Sequence, residues 1–165
     1  MRPPTIVSLL LGWALSGCAT ASTLTPDNEA SENLPLSVDH VGLTVSDLEA
    51  SKTLFVDVLG FTVLKHDASY PAYILGNGAS KITLWRASDP EQATPFDRKN
   101  NVGLHHLAFA VSSFDHLEAL HQTLAAYRGV TIEFAPELAY GGPAKHMMFR
   151  EPSGNRVELV HRPAQ

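Results

Sequence analysis

Two stretches of the chain repeat one order of hydrophobic and polar positions. In the first, Val38 to Val45 alternates at the period of a half-buried strand. Ser46 and Asp47 then offer a helix N-cap ahead of Leu48, Leu54, Phe55 and Val58 at helical spacing. Leu59-Gly60-Phe61 closes that helix and opens another strand. In the second stretch, Leu104 to Val111 takes the place of the first strand, Ser112 and Ser113 that of the cap, and Phe114, Leu117, Leu120 and Leu124 that of the helix. Gly129 ends it, and Val130 to Phe134 reads as the next strand.

Each stretch closes with two further strands, Ala72 to Leu75 and Lys81 to Trp85 in one, Lys145 to Phe149 and Arg156 to Val160 in the other. Gly76-Asn77-Gly78 and Pro152-Ser153-Gly154-Asn155 supply the turn chemistry between them. The unit is therefore β-α-β-β-β, repeated at about 36–87 and 103–162, with a polar linker from about Ser88 to Asn101 that contains Pro90 and Pro95. A small sheet with one helix leaves its second face bare, and pairing two such units removes the problem. The predicted fold is α+β: two βαβββ modules paired into an incomplete β-barrel, with helices outside and a cavity inside.

The first residues follow a different pattern. After Arg2, an apolar run from Ile6 to Leu15 is broken only by Ser8 and Gly12, which fits a secretory signal too short to span a bilayer. Leu15-Ser16-Gly17-Cys18 resembles the site at which bacterial lipoproteins are cleaved and lipidated. Cys18 is the single cysteine of the 165 residues, so acylation there would leave a mature chain without a thiol. Residues 1–17 are thus expected to be a signal peptide, 18–35 a flexible tether rich in Ala, Ser, Thr and Asn, and 36–162 the folded domain. Ala19 stands where an inner-membrane retention signal would carry Asp, which points to anchoring at the outer membrane, facing the periplasm. With a net charge of −5 and scattered Lys and Arg, the chain has no basic stripe for phosphates, and a nucleic-acid partner is not expected.

Strand parity sorts the candidate chemistry. Residues alternate between faces, so His40, Gly42 and Thr44 share one face of the first strand, and His106, Ala108 and Ala110 share one face of its counterpart. The opposite faces carry Val41, Leu43, Val45 and Leu107, Phe109, Val111, which suit packing under a helix. Parity places His105 on that core side. Glu158, between Val157 and Leu159, points away from the apolar pair. Two imidazoles and one carboxylate converging from different strands meet the requirement of a facial metal triad with open positions. A histidine at a strand start equally suits a surface or hydrogen-bonded core residue, and spacing alone leaves both readings standing.

His40 to Phe61, with Asp47-Leu48, Ser51, Phe55 and Leu59-Gly60-Phe61, resembles the first module of the vicinal-oxygen-chelate superfamily of glyoxalases, bleomycin-resistance proteins and extradiol dioxygenases. Glu151-Pro152-Ser153-Gly154-Asn155-Arg156-Val157-Glu158-Leu159 resembles its closing strand. The resemblance implies metal positions at His40, Thr83, His106 and Glu158, and so a divalent ion (Fe, Mn, Ni, Co or Zn) on His40, His106 and Glu158. Three departures separate the chain from particular activities. Thr83 stands where glyoxalase I has a metal-binding Glu or Gln, Gly42 where fosfomycin-resistance transferases have a catalytic Thr, and Met148 where extradiol dioxygenases have an acid/base Tyr.

The expected function is a metal-dependent enzyme that chelates a small oxygenated metabolite through two oxygens. Glu158 and His146 are its candidate acid/base groups, and a metal-free ligand-binding protein of the bleomycin-resistance type is the rival. Thr83, Trp85, Tyr140 and Met148 are candidate pocket residues, Tyr140 belonging to a glycine-rich loop with Gly141 and Gly142. Lys145, Arg150 and Arg156 read as solvated strand-edge charge. The expected partners are a small-molecule substrate and, through Cys18, a membrane. The site is expected either within one chain or across a homodimer.

Overall fold

A computed structural model describes residues 36–139 and 141–164. Its elements follow the predicted order: β1 (Val41–Val45), α1 (Leu48–Asp57), β2 (Thr62–Asp67), β3 (Ala72–Gly76), β4 (Lys81–Arg86), β5 (Leu107–Ala110), α2 (Phe114–Ala125), β6 (Thr131–Leu138), β7 (Lys145–Arg150) and β8 (Arg156–His161). They form two four-stranded sheets, β1-β4-β3-β2 and β5-β8-β7-β6. Within each sheet the first and last strands of the module run parallel and the other pairs antiparallel. The two sheets and two helices make the α+β incomplete barrel that the repeat implies.

Local chemistry explains the element ends. The Asp47 carboxylate accepts the Ala50 N–H at 2.9 Å and caps α1. Ser113 Oγ accepts the His116 N–H at 3.0 Å and caps α2. Each satisfies a donor that the first helical turn leaves without a partner. Gly129, at φ 86°, takes the left-handed conformation that ends the α2 segment. Strand β6 runs past the predicted Phe134 to Leu138 and through Pro136. An edge strand tolerates a proline because one side of it makes no ladder bond, and the register with β7 shifts on either side of Phe134.

Helix α1 joins the two modules. Its Leu48 and Phe55 bury into the core of the first sheet, whereas Leu54 belongs to the core of the second with Leu117, Leu124, Met147 and Phe149. Fully burying each such side chain contributes about 1.5–3 kcal/mol. Phe109 of β5 returns the contact, its ring edge-on to Phe55 at 6.3 Å and to Phe61 at 5.5 Å. A polar junction lies beside this apolar one. Ser51 Oγ donates to Glu151 Oε2 at 2.5 Å, Ser153 Oγ accepts the N–H groups of Ser46 and Asp47, and Asn155 Nδ2 donates to Thr44 O at 3.0 Å. The turn between β7 and β8 is thereby fixed to the start of α1.

Candidate functional site

Register within the second sheet brings the chemistry together. Ala108 of β5 and Met148 of β7 flank Glu158 of β8. The small Ala108 side chain leaves the Glu158 carboxylate room toward the mouth of β5, where His106 stands just before the strand. His106 Nε2 lies 3.0 Å from Glu158 Oε2. His146, two positions along β7 from Met148, reaches the other oxygen: its Nδ1 is 2.5 Å from Glu158 Oε1. Glu158 and His146 are each 8% exposed, and the Phe134 ring leans on His146 at 4.9 Å between centroids. A carboxylate this buried needs partners, and two imidazoles provide them.

His40 is elsewhere. It is exposed at the mouth of β1 in the first sheet, where its Nδ1 meets Asp39 Oδ2 at 2.7 Å while Lys81 Nζ holds the second Asp39 oxygen at 2.9 Å. Among the described residues, no group of three or more His, Cys, Asp or Glu is arranged to hold a metal ion. The structure therefore assembles His106, Glu158 and His146 and leaves His40 apart from them.

Thr83 and Trp85 face the open side of the first sheet. Trp85 Nε1 donates to Thr83 Oγ1 at 2.8 Å, and the Tyr70 ring lies 5.0 Å from Trp85. Gly42 is opposite Thr83, and a Cβ there would come within 3.2 Å of Thr83 Oγ1, so the missing side chain makes room for this pair. Met148 is buried between Glu158 and Phe134 in the sheet register. Tyr140 and Cys18 lie outside the described residues. A cleft of about 640 Å³ lies along β1 and is lined by Gly42, Thr44, Phe96, Leu104 and Asn155 among others, not by His106 or Glu158.

Three features depart from the sequence reading. His105 and His106 precede β5, which starts at Leu107, so strand parity does not govern them. His105 is exposed instead of core-facing, and its Nδ1 lies 2.8 Å from His106 Nδ1 and 3.5 Å from Arg156 Nη1. Partial desolvation, then the charges of Arg156, His106 and Arg98, hold its pKa below the ordinary histidine value.

Arg156 is not solvated strand-edge charge. It is 7% exposed, and its Nε donates to Glu133 Oε2 at 2.7 Å while Arg150 Nε approaches Glu133 Oε1 at 2.9 Å. Burial alone would raise the Glu133 pKa, but the Arg156 hydrogen bond and the charges of Arg156, Arg150 and Arg98 outweigh it and hold the pKa below the ordinary value. Neither Glu133 nor Glu151 was singled out from the sequence. The available signal for Glu133 was a lone carboxylate inside the strand pattern Val130 to Phe134.

Comparison with known proteins agrees with this architecture. Residues 37–159 match the model of the Glyoxalase/Bleomycin resistance protein/Dioxygenase superfamily, and the chain belongs to that superfamily. It is 35% identical over 92 residues to the uncharacterized protein YwkD of Bacillus subtilis, covering 52% of this chain and 70% of that one. It is 28% identical over 151 residues to a 2-epi-5-epi-valiolone epimerase of Actinomyces sp, covering 78% and 81% respectively. Among solved structures, a glyoxylase/bleomycin resistance protein/dioxygenase domain from Frankia sp. EAN1pec superposes with a TM-score of 0.66 at 25% identity, over 78% of this chain and 99% of that one.

Proposed function

We propose that this chain is a divalent-metal-dependent enzyme acting on a small oxygenated metabolite, with His106 and Glu158 of one chain and His40, of the same chain or of a second copy, as the metal-binding residues. The observation that carries the reading is the 3.0 Å approach of His106 Nε2 to Glu158 Oε2. Two ligands of one ion, bonded at about 2.0–2.2 Å and at a right angle, stand about 3 Å apart. Nδ1 of each candidate histidine is engaged, on Asp39 for His40 and on His105 for His106. A hydrogen bond at Nδ1 is the usual outer support of a histidine that ligates through Nε2.

A bound divalent ion would supply Lewis acidity toward two vicinal oxygens of a substrate. The chain's own part is proton handling. Glu158 Oε1 and His146 Nδ1 form a short buried pair that can hold a proton removed from a carbon beside a chelated carbonyl and return it. One relative bears the name of an epimerase, and inversion at such a carbon needs that pair of steps.

The N-terminal sequence supports a second element of the reading: lipidation at Cys18 and tethering to the cell envelope, with 18–35 as the tether and 36–162 as the folded domain.

A metal-free ligand-binding role is the alternative, favoured by a cleft of about 640 Å³ along β1 whose lining includes neither His106 nor Glu158. Metal stoichiometry separates the two. The purified chain, loaded in turn with Mn, Fe(II), Co, Ni and Zn, is expected to retain about one ion per chain. His40→Ala, His106→Ala and Glu158→Gln should each lower that occupancy strongly. A wild-type chain that retains no ion with any of the five would sink the enzyme reading and leave the binding role.

A further inference from the structure

The segment between the modules reads in the sequence as a polar linker, and the structure docks part of it against β7. The Phe96 ring faces the Arg150 guanidinium, with 5.9 Å from its carbon to the ring centroid, and the Phe96 carbonyl lies 3.5 Å from Arg150 Nη1. Two residues further on, Arg98 comes near enough for its charge to act on Glu133. Arg98 and Arg150 then line one cleft of about 570 Å³, together with Asp97, Lys99 and Asn101.

That lining carries three cations and a single carboxylate. Asp97 is already engaged by its own turn: Oδ1 accepts the N–H groups of Lys99 and Asn100, and Oδ2 accepts Asn100 Nδ2. Glu133 does not balance the arginines either, because Arg150, the buried Arg156 and Arg98 all act on this one carboxylate. The whole chain has a net charge of −5, so the local excess of positive charge runs against its composition.

The arginines also have donors to spare. A guanidinium offers five N–H groups. Arg150 commits Nε to Glu133, while its Nη1 contacts, 3.5 Å to Phe96 O and 3.4 Å to Gly154 O, are longer than a good hydrogen bond. Among the described residues Arg98 makes no hydrogen bond and no ion pair. Both side chains are partly exposed. Carboxylates and phosphates accept guanidinium donors in pairs, and such charge-assisted bonds are about twice as strong as neutral ones.

We propose that the cleft between the linker and β7 binds the oxyanion group, carboxylate or phosphate, of a small ligand, with Arg98 and Arg150 as its donors. In the register of the second sheet Arg150 is opposite Arg156, and the next pair on the same face is Met148 and Glu158. The arginine pair is thus one register step from Glu158, about 6.8 Å along the strands. The assignment involves no metal, and it holds for an enzyme and for a binding protein alike.

The test uses the full chain, stripped of metal by chelation, with inorganic phosphate and malonate as separate probes at low ionic strength. Calorimetric titration gives affinity, and backbone amide shifts locate the binding. At least one probe is expected to bind saturably, with shifts clustered at residues 94–101 and at Arg150. The tighter probe names the group that the ligand carries. Arg98→Gln should weaken that binding about tenfold or more and leave the melting temperature near wild type, since Arg98 has no bond within the described fold to lose. Lys65→Gln removes the same charge from exposed β2 in the first sheet and should bind as wild type does.

Absence of saturable binding by both probes would overturn the proposal. So would equal weakening in Arg98→Gln and Lys65→Gln, which would reduce the effect to net charge, or shifts confined to residues outside 94–101 and 150–156. Failure of the metal reading would alter none of these measurements.

Discussion

Glu158 is in register with Ala108, yet its Oε2 meets Nε2 of His106, 3.0 Å away at the mouth of the same strand. A carboxylate and an imidazole brought this close in the native fold are dispersed in the unfolded chain, so an ion they hold binds only the folded state. Metal should therefore raise the melting temperature in a concentration-dependent way, and an ion at 100 times its dissociation constant adds about 2.7 kcal/mol. The increment should be absent in Glu158→Gln and His106→Ala. Scanning calorimetry across a metal series checks this, and an equal increment in all three chains would refute it.

Glu151 is the most buried charged residue at the module junction, 1% exposed, and it accepts from Ser51 Oγ and from both the backbone and side-chain nitrogens of Asn155. Removing it takes the side-chain acceptor from the Asn155 N–H and leaves Ser51 Oγ with Ser153 Oγ and Asn155 Nδ2 with Thr44 O. Glu151→Ala is expected to cost about 2–3 kcal/mol, with Glu151→Gln costing less because an amide oxygen still accepts. Denaturant unfolding measures both, and a midpoint unchanged in Glu151→Ala would show that the junction is not held through this residue.

Glu133 should give the stability an acid limb. Its folded-state pKa is depressed, so its contribution is fully present above the ordinary value of 4.5 and is lost as pH falls below that toward the folded pKa. Glu133→Gln should flatten the stability curve below pH 4.5 while lowering stability at neutral pH, where two arginines lose their shared carboxylate. Urea midpoints across the acid range test it. The same slope in both chains would assign the acid limb to another group.

Cys18 should decide where the chain resides. With Cys18→Ser the proposed acylation site is gone, and the protein should appear as an uncleaved precursor or in the soluble fraction. Membrane fractionation and gel mobility that do not change would exclude lipidation at this residue.

Much of the scaffold was legible because its signals are local. Asp47 and Ser113 cap their helices as the sequence suggests, since a short acceptor just before an apolar helical pattern satisfies a backbone donor within its own turn. Strand alternation put Leu43 and Val45 in the core and Gly42 and Thr44 on the open face, because side-chain direction in a strand depends only on parity.

The limits of that reasoning show at the strand ends. Parity was extended to His105, but β5 starts at Leu107, and outside a ladder the backbone does not alternate. Arg156 looked like surface charge because its partner, Glu133, comes from β6, and nothing local links them until β7 pairs with both β6 and β8. Glu151 was visible only as part of a turn, since its partner Ser51 is in the other module.

The sequence by itself determined the repeated module, its helix caps, the open face of β1 and the residue types able to hold a metal. Each follows from backbone geometry and side-chain chemistry over a few neighbouring positions. Tertiary structure alone decided that His146 shares Glu158 with His106, that His105 touches His106, and that His40 pairs with Asp39 in the other sheet. Those facts depend on strand order, register and the exact residue at which each ladder begins, which emerge only when segments distant in the chain compete for the same partners.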